Sequence, residues 1–209
     1  MPLLPLSDPP TPGISPLTFS SFTTNGTGCG TSVSHSFSSY DPSTQSVFLT
    51  LGLTDGMDLY IGPGTRYTDQ RKSCDFSISV TVNGINKRVV VHRNGTTIRG
   101  YARIQDASTM LTWQDSYAWG CSLGGGGVSV CNATVLMGPV KDGFFITHVD
   151  AVKNGDGTVG AGSGCGGGVL KAGLAARLSS LASVVPGIED PEEGERQWIV
   201  QTDFRVEDC

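Results

Sequence analysis

The chain has 209 residues and a formal net charge of −5, with 14 basic against 19 acidic side chains, a balance that argues against general nucleic-acid binding. A chain of this length supports one large domain or two small ones with a core of its own. No apolar run approaches the roughly 20 residues of a membrane-spanning helix, and the wealth of Gly, Ser, Thr and Val suits strands and tight turns.

Six of the eleven prolines fall within the first 16 residues, so residues 1–17 read as an extended, poorly ordered arm ahead of one domain over 18–209. The arm lacks a basic n-region and an unbroken apolar core, so it does not read as a signal peptide. A leader is expected to have been removed or to lie upstream.

Period-2 alternation follows. A strand is expected at 33–37, and Val47, Leu49, Leu51 and Leu53 then share one face of the next, with Thr50 and Gly52 between them. Phe76, Ile78, Val80 and Val82 repeat the pattern against Ser77, Ser79 and Thr81. Further strands are expected at 88–92, 101–105, 110–119, 128–137, 144–150 and 169–178. A helix over 172–183 competes with the last of these, because Leu174, Leu178 and Leu181 recur at helical spacing. The closing strand alternates Trp198, Val200, Phe204 and Val206 with Gln201, Asp203, Arg205 and Glu207. Such spacing buries one face of an antiparallel sheet and wets the other.

The punctuation is turn chemistry: Asp41-Pro42, Gly62-Pro63-Gly64, Asn83-Gly84, Asn94-Gly95 and Asn154-Gly155-Asp156-Gly157. Asn-Gly between strand-like runs predicts a hairpin, since both central residues of a type I′ turn need positive φ. Glycine patches at 124–127 and 155–168 and the acidic stretch 186–195 read as loops. About ten short strands so spaced predict an all-β fold, an antiparallel β-sandwich or jelly roll.

The six cysteines are Cys29, Cys74, Cys121, Cys131, Cys165 and Cys209, and the glycosylation sequons are Asn25-Gly-Thr, Asn94-Gly-Thr and Asn132-Ala-Thr. An even count without CxxC spacing reads as a disulfide framework in an oxidising compartment. Sequons read as exposed loops of a chain that passes through a secretory pathway. Cys121 and Cys131 bracket a glycine-rich loop, which suggests a local staple between two strands. The other four are then paired among themselves, in any of three ways.

Charge is uneven. Eight of the basic residues lie between Arg66 and Arg103, and eight of the acids between Glu189 and Asp208. Two solvated faces, or attraction between the middle and the C-terminus, account for this. A basic face for an acidic wall polysaccharide is the functional alternative.

In a strand over 112–119, Trp113, Asp115, Tyr117 and Trp119 project from one face. Three rings beside a carboxylate could make a sugar-stacking platform. The competing reading is a buried aromatic stripe that fills the sandwich. Burial of Trp113 and Trp119 separates the two.

Other chemistry is weakly signalled. His35, His92 and His148 belong to no recognisable motif, and Gly162-Ser163-Gly164 lacks the nucleophile elbow of a serine hydrolase. Carboxylates for glycosidase work could be drawn from Asp55, Asp58, Asp115 and Asp150, but sequence does not supply their separation. Asp150, Asn154 and Asp156 could face calcium, without the spacing of an EF-hand, and hairpin chemistry explains them as well. The 124–127 glycines lack the Lys-Ser/Thr of a phosphate loop. No cofactor is expected.

From Asn25 onward a series of short motifs occurs in order: Gly26-Thr27-Gly28-Cys29, Tyr60-Ile61-Gly62-Pro63-Gly64, Arg71-Lys72-Ser73-Cys74, Arg99-Gly100-Tyr101-Ala102, then Trp113 and Tyr117, then Gly164-Cys165-Gly166. In this order the chain resembles the family catalogued as domain of unknown function 4360, secreted cysteine-containing proteins of fungi and some bacteria. The likeness covers roughly 25–178. It departs at Gly164, where the family usually has Pro, and in the 124–127 insert and acidic tail. It implies a small secreted protein of fungal type and brings no catalytic residues.

The expectation is therefore a secreted, non-enzymatic protein that binds cell-wall glycan or a partner protein at a cell surface or host interface. A glycan-active enzyme with carboxylates near the Trp113–Trp119 strand is the runner-up, and a structural wall component the third reading.

Overall fold

The computed structural model describes residues 15–30, 33–53, 56–61, 64–104, 106–120, 129–155, 157–180 and 198–209. Its strands are β1 (Leu17–Asn25), β2 (Val33–Phe37), β3 (Ser46–Leu53), β4 (Arg71–Val82), β5 (Lys87–Ile104), β6 (Thr109–Gly120), β7 (Ser129–Met137), β8 (Val140–Val149), β9 (Ala161–Gly162), β10 (Gly167–Ser180) and β11 (Trp198–Asp208), with one 3₁₀ turn at Tyr67–Asp69. They form two antiparallel sheets. The first runs β1-β4-β10-β6-β7 and the second β2-β3-β11-β5-β8, with the short β9 also on β5. The expected all-β sandwich is the fold. Among the described residues no helix is long and apolar enough to cross a membrane.

Alternation sets the layers. On β4 the even positions from Cys74 to Val82 are buried while Asp75, Ser77, Ser79 and Thr81 face outward. On β10, Leu170, Ala172, Leu174, Ala176 and Leu178 point inward, which resolves the helix–strand competition there in favour of a strand. From the opposite sheet Val47, Leu49, Leu51, Leu53, Val200 and Phe204 meet them across the core. The first strand, whose alternation is masked by Ser and Thr, starts at Leu17, and Leu17 is buried.

Two of the three Asn-Gly signals depart from the hairpin expectation, while Asn154-Gly155 lies in a turn closed by the antiparallel bridge Lys153↔Val159. The turn at Asn83-Gly84 joins β4 to β5, which lie in different sheets, so it arches across the core rather than closing a hairpin. Asn94-Gly95 lies within β5, which merges the strands expected at 88–92 and 101–105. There four residues, 92–95, stand opposite the single Asp203 of β11, because the register passes from Phe204↔Val91 to Thr202↔Thr96. The bulge is pinned by the Asp203 carboxylate, which accepts from the Asn94 backbone N–H at 3.0 Å and from its Nδ2 at 2.9 Å. Gly95 has φ +85°, and a Cβ there would strike the Val149 carbonyl oxygen. The positive φ that Asn-Gly favours is thus spent inside a strand, as a bulge.

Two disulfides join Cys29 to Cys74, with 4.7 Å between Cα atoms, and Cys165 to Cys209, with 6.0 Å. The four cysteines do pair among themselves. Cys131 is exposed on β7 and its expected partner Cys121 lies outside the described residues. The strands flanking that loop, β6 and β7, do pair antiparallel, with Ser116 opposite Cys131. The 124–127 glycines, the 186–195 stretch and most of the 1–17 arm also lie outside the described residues.

Part of the charge asymmetry is internal. Lys87 pairs with Asp208 at 2.6 Å, Arg93 with Glu207 at 3.1 Å and Arg88 with Glu207 at 3.5 Å. Register brings these groups together, because the end of β11 runs antiparallel beside the start of β5.

Candidate functional site

Trp113, Asp115, Tyr117 and Trp119 share one face of β6, and that face looks into the sandwich. Their exposures are 2%, 1%, 1% and 5%. The sugar-stacking platform is therefore not on the surface. The stripe is core, because a central strand with aromatics at every second position buries more apolar area facing the other sheet than facing water. Trp113 stacks on Trp198 of β11 with centroids 5.1 Å apart, and Trp119 Nε1 donates to the Ala161 carbonyl at 2.8 Å.

Asp115 is the polar exception on this stripe. Its Oδ2 lies 3.5 Å from His92 Nδ1, and His92 is fully enclosed on the β5 bulge. The Asp150 carbonyl accepts from His92 Nε2 at 3.1 Å, which leaves Nδ1 of a neutral ring to accept from the Thr96 hydroxyl at 2.8 Å. Tyr117 completes the chain with its hydroxyl 2.8 Å from Thr96 Oγ1. Burial pushes the Asp115 carboxyl up from the usual carboxylate range, while its electrostatic interaction with the His92 imidazole and the neighbouring hydroxyls pull it back. Burial drives the Tyr117 phenol up too. This is not a hydrolytic triad: Thr96 and Asp115 both approach the same imidazole nitrogen, and no substrate can enter.

Ser163 is likewise engaged. Its Oγ accepts from Val89 N–H at 3.0 Å and donates to the Gly164 carbonyl at 2.7 Å. Asn154 Nδ2 donates to Thr158 Oγ1 and the Gly160 carbonyl at 2.8 and 2.9 Å, so this side chain closes its own turn. Asp55 and Asp156 lie outside the described residues. Among the described residues no three His, Cys, Asp or Glu side chains converge on one point.

The outer face of the first sheet offers a different site. One register row crosses all five strands: Asn25 on β1, Asp75 on β4, Gly173 on β10, Ser116 on β6 and Cys131 on β7. The adjacent row is Thr23, Ser77, Lys171 and Ala118. Together they line an open groove of about 590 Å³. Its floor is low because Gly173 has no side chain: a Cβ there would sit 2.8 Å from Asp75 Oδ1 and 2.9 Å from Ser116 Oγ. Asn25, Asp75 and Lys171 are exposed, and neither Asp75 nor Lys171 forms an ion pair with a described residue. Sequence reasoning passed over this face. Its signal was the polar half of the alternation, Asp75-x-Ser77 and Lys171-x-Gly173, which becomes a site only once register aligns the strands.

The second sheet carries exposed apolar side chains on its edge strand β8, with Phe144 at 74% and Ile146 at 69% exposure. Phe144 meets Tyr101 of β5 edge-on at 5.8 Å.

The sequons differ in setting. Asn25 is exposed on the groove rim. Asn94 Nδ2 is held by Asp203, with Thr96 buried, and Asn132 Nδ2 donates to the Asp150 carbonyl at 2.7 Å.

Comparison with known proteins gives one family. The model described as Domain of unknown function (DUF4360) matches residues 16–167, and the chain belongs to that family. No curated protein sequence matches it. Among solved structures, TmCBM61 in complex with β-1,4-galactotriose is 9% identical, with TM-score 0.27, over 90% of this chain and 88% of that one. A structure of carbohydrate-binding modules from the β-sandwich superfamily is 10% identical, with TM-score 0.26, over 94% of this chain and 58% of that one. Likeness at this level carries no argument about a ligand.

Proposed function

We propose that this member of the DUF4360 family is an extracellular, non-enzymatic binding protein that holds a cell-wall or cell-surface glycan in the groove of its first sheet. The observation that carries the reading is the row Asn25–Asp75–Gly173–Ser116. An amide, a carboxylate and a hydroxyl converge there over a floor with no side chain. Sugar hydroxyls donate and accept at once, so mixed donors and acceptors at fixed cross-strand spacing complement them. The two disulfides support an oxidising compartment.

A glycosidase reading is less favoured. The two-carboxylate mechanism needs a pair about 5–10 Å apart flanking the scissile bond. Asp75 is the single carboxylate among the groove's described lining residues, and Asp115 is enclosed in the core.

The test is retention on insoluble chitin, glucan and pectin, with wild type and Gly173→Val compared. The valine fills the groove floor but suits a strand. Retention lost in a variant that unfolds at the same denaturant concentration supports the reading. Retention by none of the polymers removes it.

A second reading, contact with a protein at the cell surface, is favoured by the exposure of Phe144 and Ile146. It predicts retention on wall material that disappears when the wall is first treated with protease, and that Phe144→Ser abolishes while Gly173→Val does not.

A further inference from the structure

We propose that Arg71 and Arg177 form an anion-binding subsite at one end of the groove face, so that the glycan is a carboxylated one, a uronate polymer. This rests on the glycan reading above and narrows it. The two arginines are direct register partners on β4 and β10. Both are exposed, and they share the outward parity of Asp75, Lys171 and Gly173. Side chains so placed have Cβ atoms roughly 4.5–5.5 Å apart, and like charges there repel.

The basic residues in the first half of β5 are neutralised within the fold. Lys87, Arg88 and Arg93 are all answered by Glu207 or Asp208. Arg71 and Arg177 have no such partner among the described residues. The row they begin continues through Thr112 and Val135, a hydroxyl and an apolar side chain. Two guanidinium forks therefore stand together, uncommitted to any carboxylate of the described residues. A carboxylate between them accepts N–H···O bonds from both and turns mutual repulsion into attraction.

Spacing sets the size of the ligand. Lys171 lies on the same strand and face, six residues from Arg177, or about 20 Å at roughly 3.4 Å per residue. Gly173 lies between them, and Lys171 itself lines the groove. One sugar cannot reach both ends, so the ligand is an oligomer lying along β10, with carboxylates at the basic ends and ring hydroxyls over the row of Asn25, Asp75 and Ser116. Every ring of a uronate oligomer carries a carboxylate, so Asp75 requires the central rings to turn theirs away from the sheet while the terminal ones meet the basic ends.

The test is titration of the full chain with oligogalacturonate, with the same oligomer after reduction of its carboxylates, and with polyglutamate. The expected result is tighter binding of the uronate than of the reduced oligomer. Arg71→Gln and Arg177→Gln each weaken the uronate roughly tenfold and leave the reduced oligomer unaffected. Arg177→Lys, which keeps the charge and loses the fork, recovers part of the loss. Equal affinity for the uronate and reduced oligomers, unmoved by either arginine, overturns the subsite and leaves the glycan reading standing. Polyglutamate binding as tightly as the uronate overturns it too, since charge alone would then explain the effect. Binding of neither oligomer removes the subsite, and the glycan reading then stands or falls on retention by chitin or glucan.

Discussion

His92 and Asp115 face each other across the interior from opposite sheets, Nδ1 to Oδ2 at 3.5 Å, both enclosed. Around them stand Thr96, Tyr117 and the Asp150 carbonyl, with Asp203 behind the bulge that carries His92. Neither Asp115 oxygen accepts a well-formed hydrogen bond from a described residue. A polar cluster of this kind stabilises little by itself and fixes how the two layers meet.

Burial raises both Asp115 and Asp203 above the ordinary 3.8. The folded chain then holds protons that the unfolded chain would release. Each contributes stability that is fully present below pH 3.8 and is lost as pH rises through its folded value. Asp115→Asn should therefore flatten the fall in stability as pH rises from 4 toward neutrality. Urea midpoints at pH 4, 5.5 and 7 check this, and a profile identical to wild type would refute it.

Trp113 is a packing residue, stacked on Trp198. Trp113→Ala should destabilise by about 3–5 kcal/mol, the usual cost of emptying a buried ring. Trp113→Phe should restore much of that stability. In conditions where the folded state is still populated, glycan affinity should match wild type; a selective loss of binding at full stability would return the aromatic strand to the surface.

Gly95 combines φ +85° with close approach of the Val149 carbonyl. Gly95→Ala should cost about 1–3 kcal/mol through strain at the bulge. The comparison is Gly155→Ala, at a turn where an added Cβ meets nothing within 4 Å. Equal effects in thermal denaturation would mean that the bulge is not strained by a side chain.

The Cys165–Cys209 bridge ties the end of β11 to the turn before β10. A Cys165→Ser/Cys209→Ser variant should lose about 2–5 kcal/mol, with hydrogen exchange rising first at the Lys87–Asp208 end of β5 and β11. Uniform exchange across both sheets would contradict this local role.

Of the three sequons, Asn25 is the best placed to carry a glycan in the folded protein, because the amides of Asn94 and Asn132 are held by Asp203 and Asp150. Peptide mapping of material from a eukaryotic secretory host should find the highest occupancy at Asn25. Removing that glycan should strengthen polymer retention, since Asn25 sits on the groove rim.

How much of this was legible in the chain depends on the range of the physics. Val47–Leu53, Phe76–Val82 and Trp198–Val206 announce their strands because alternation is a local property of one pleated segment. β1 escapes because Ser20, Ser21, Thr23 and Thr24 interrupt its apolar positions. Asn94-Gly95 declares a positive φ correctly, yet whether that φ closes a hairpin or relieves a bulge depends on Asp203, 109 residues away.

The aromatic stripe makes the same point for function. Sequence places Trp113, Asp115, Tyr117 and Trp119 on one face, and it cannot tell which face is wet. That is set by the partner layer, where Trp198 and His92 wait for them. The groove is the converse case: Asn25, Asp75, Gly173 and Ser116 are unremarkable singly and lie in separate segments. Local periodicity and cysteine count were enough to establish a cross-linked antiparallel sandwich, because each is written in short stretches of chain. The direction each face points, and the residues aligned across it, came from strand register, which is long-range hydrogen bonding that no short window contains.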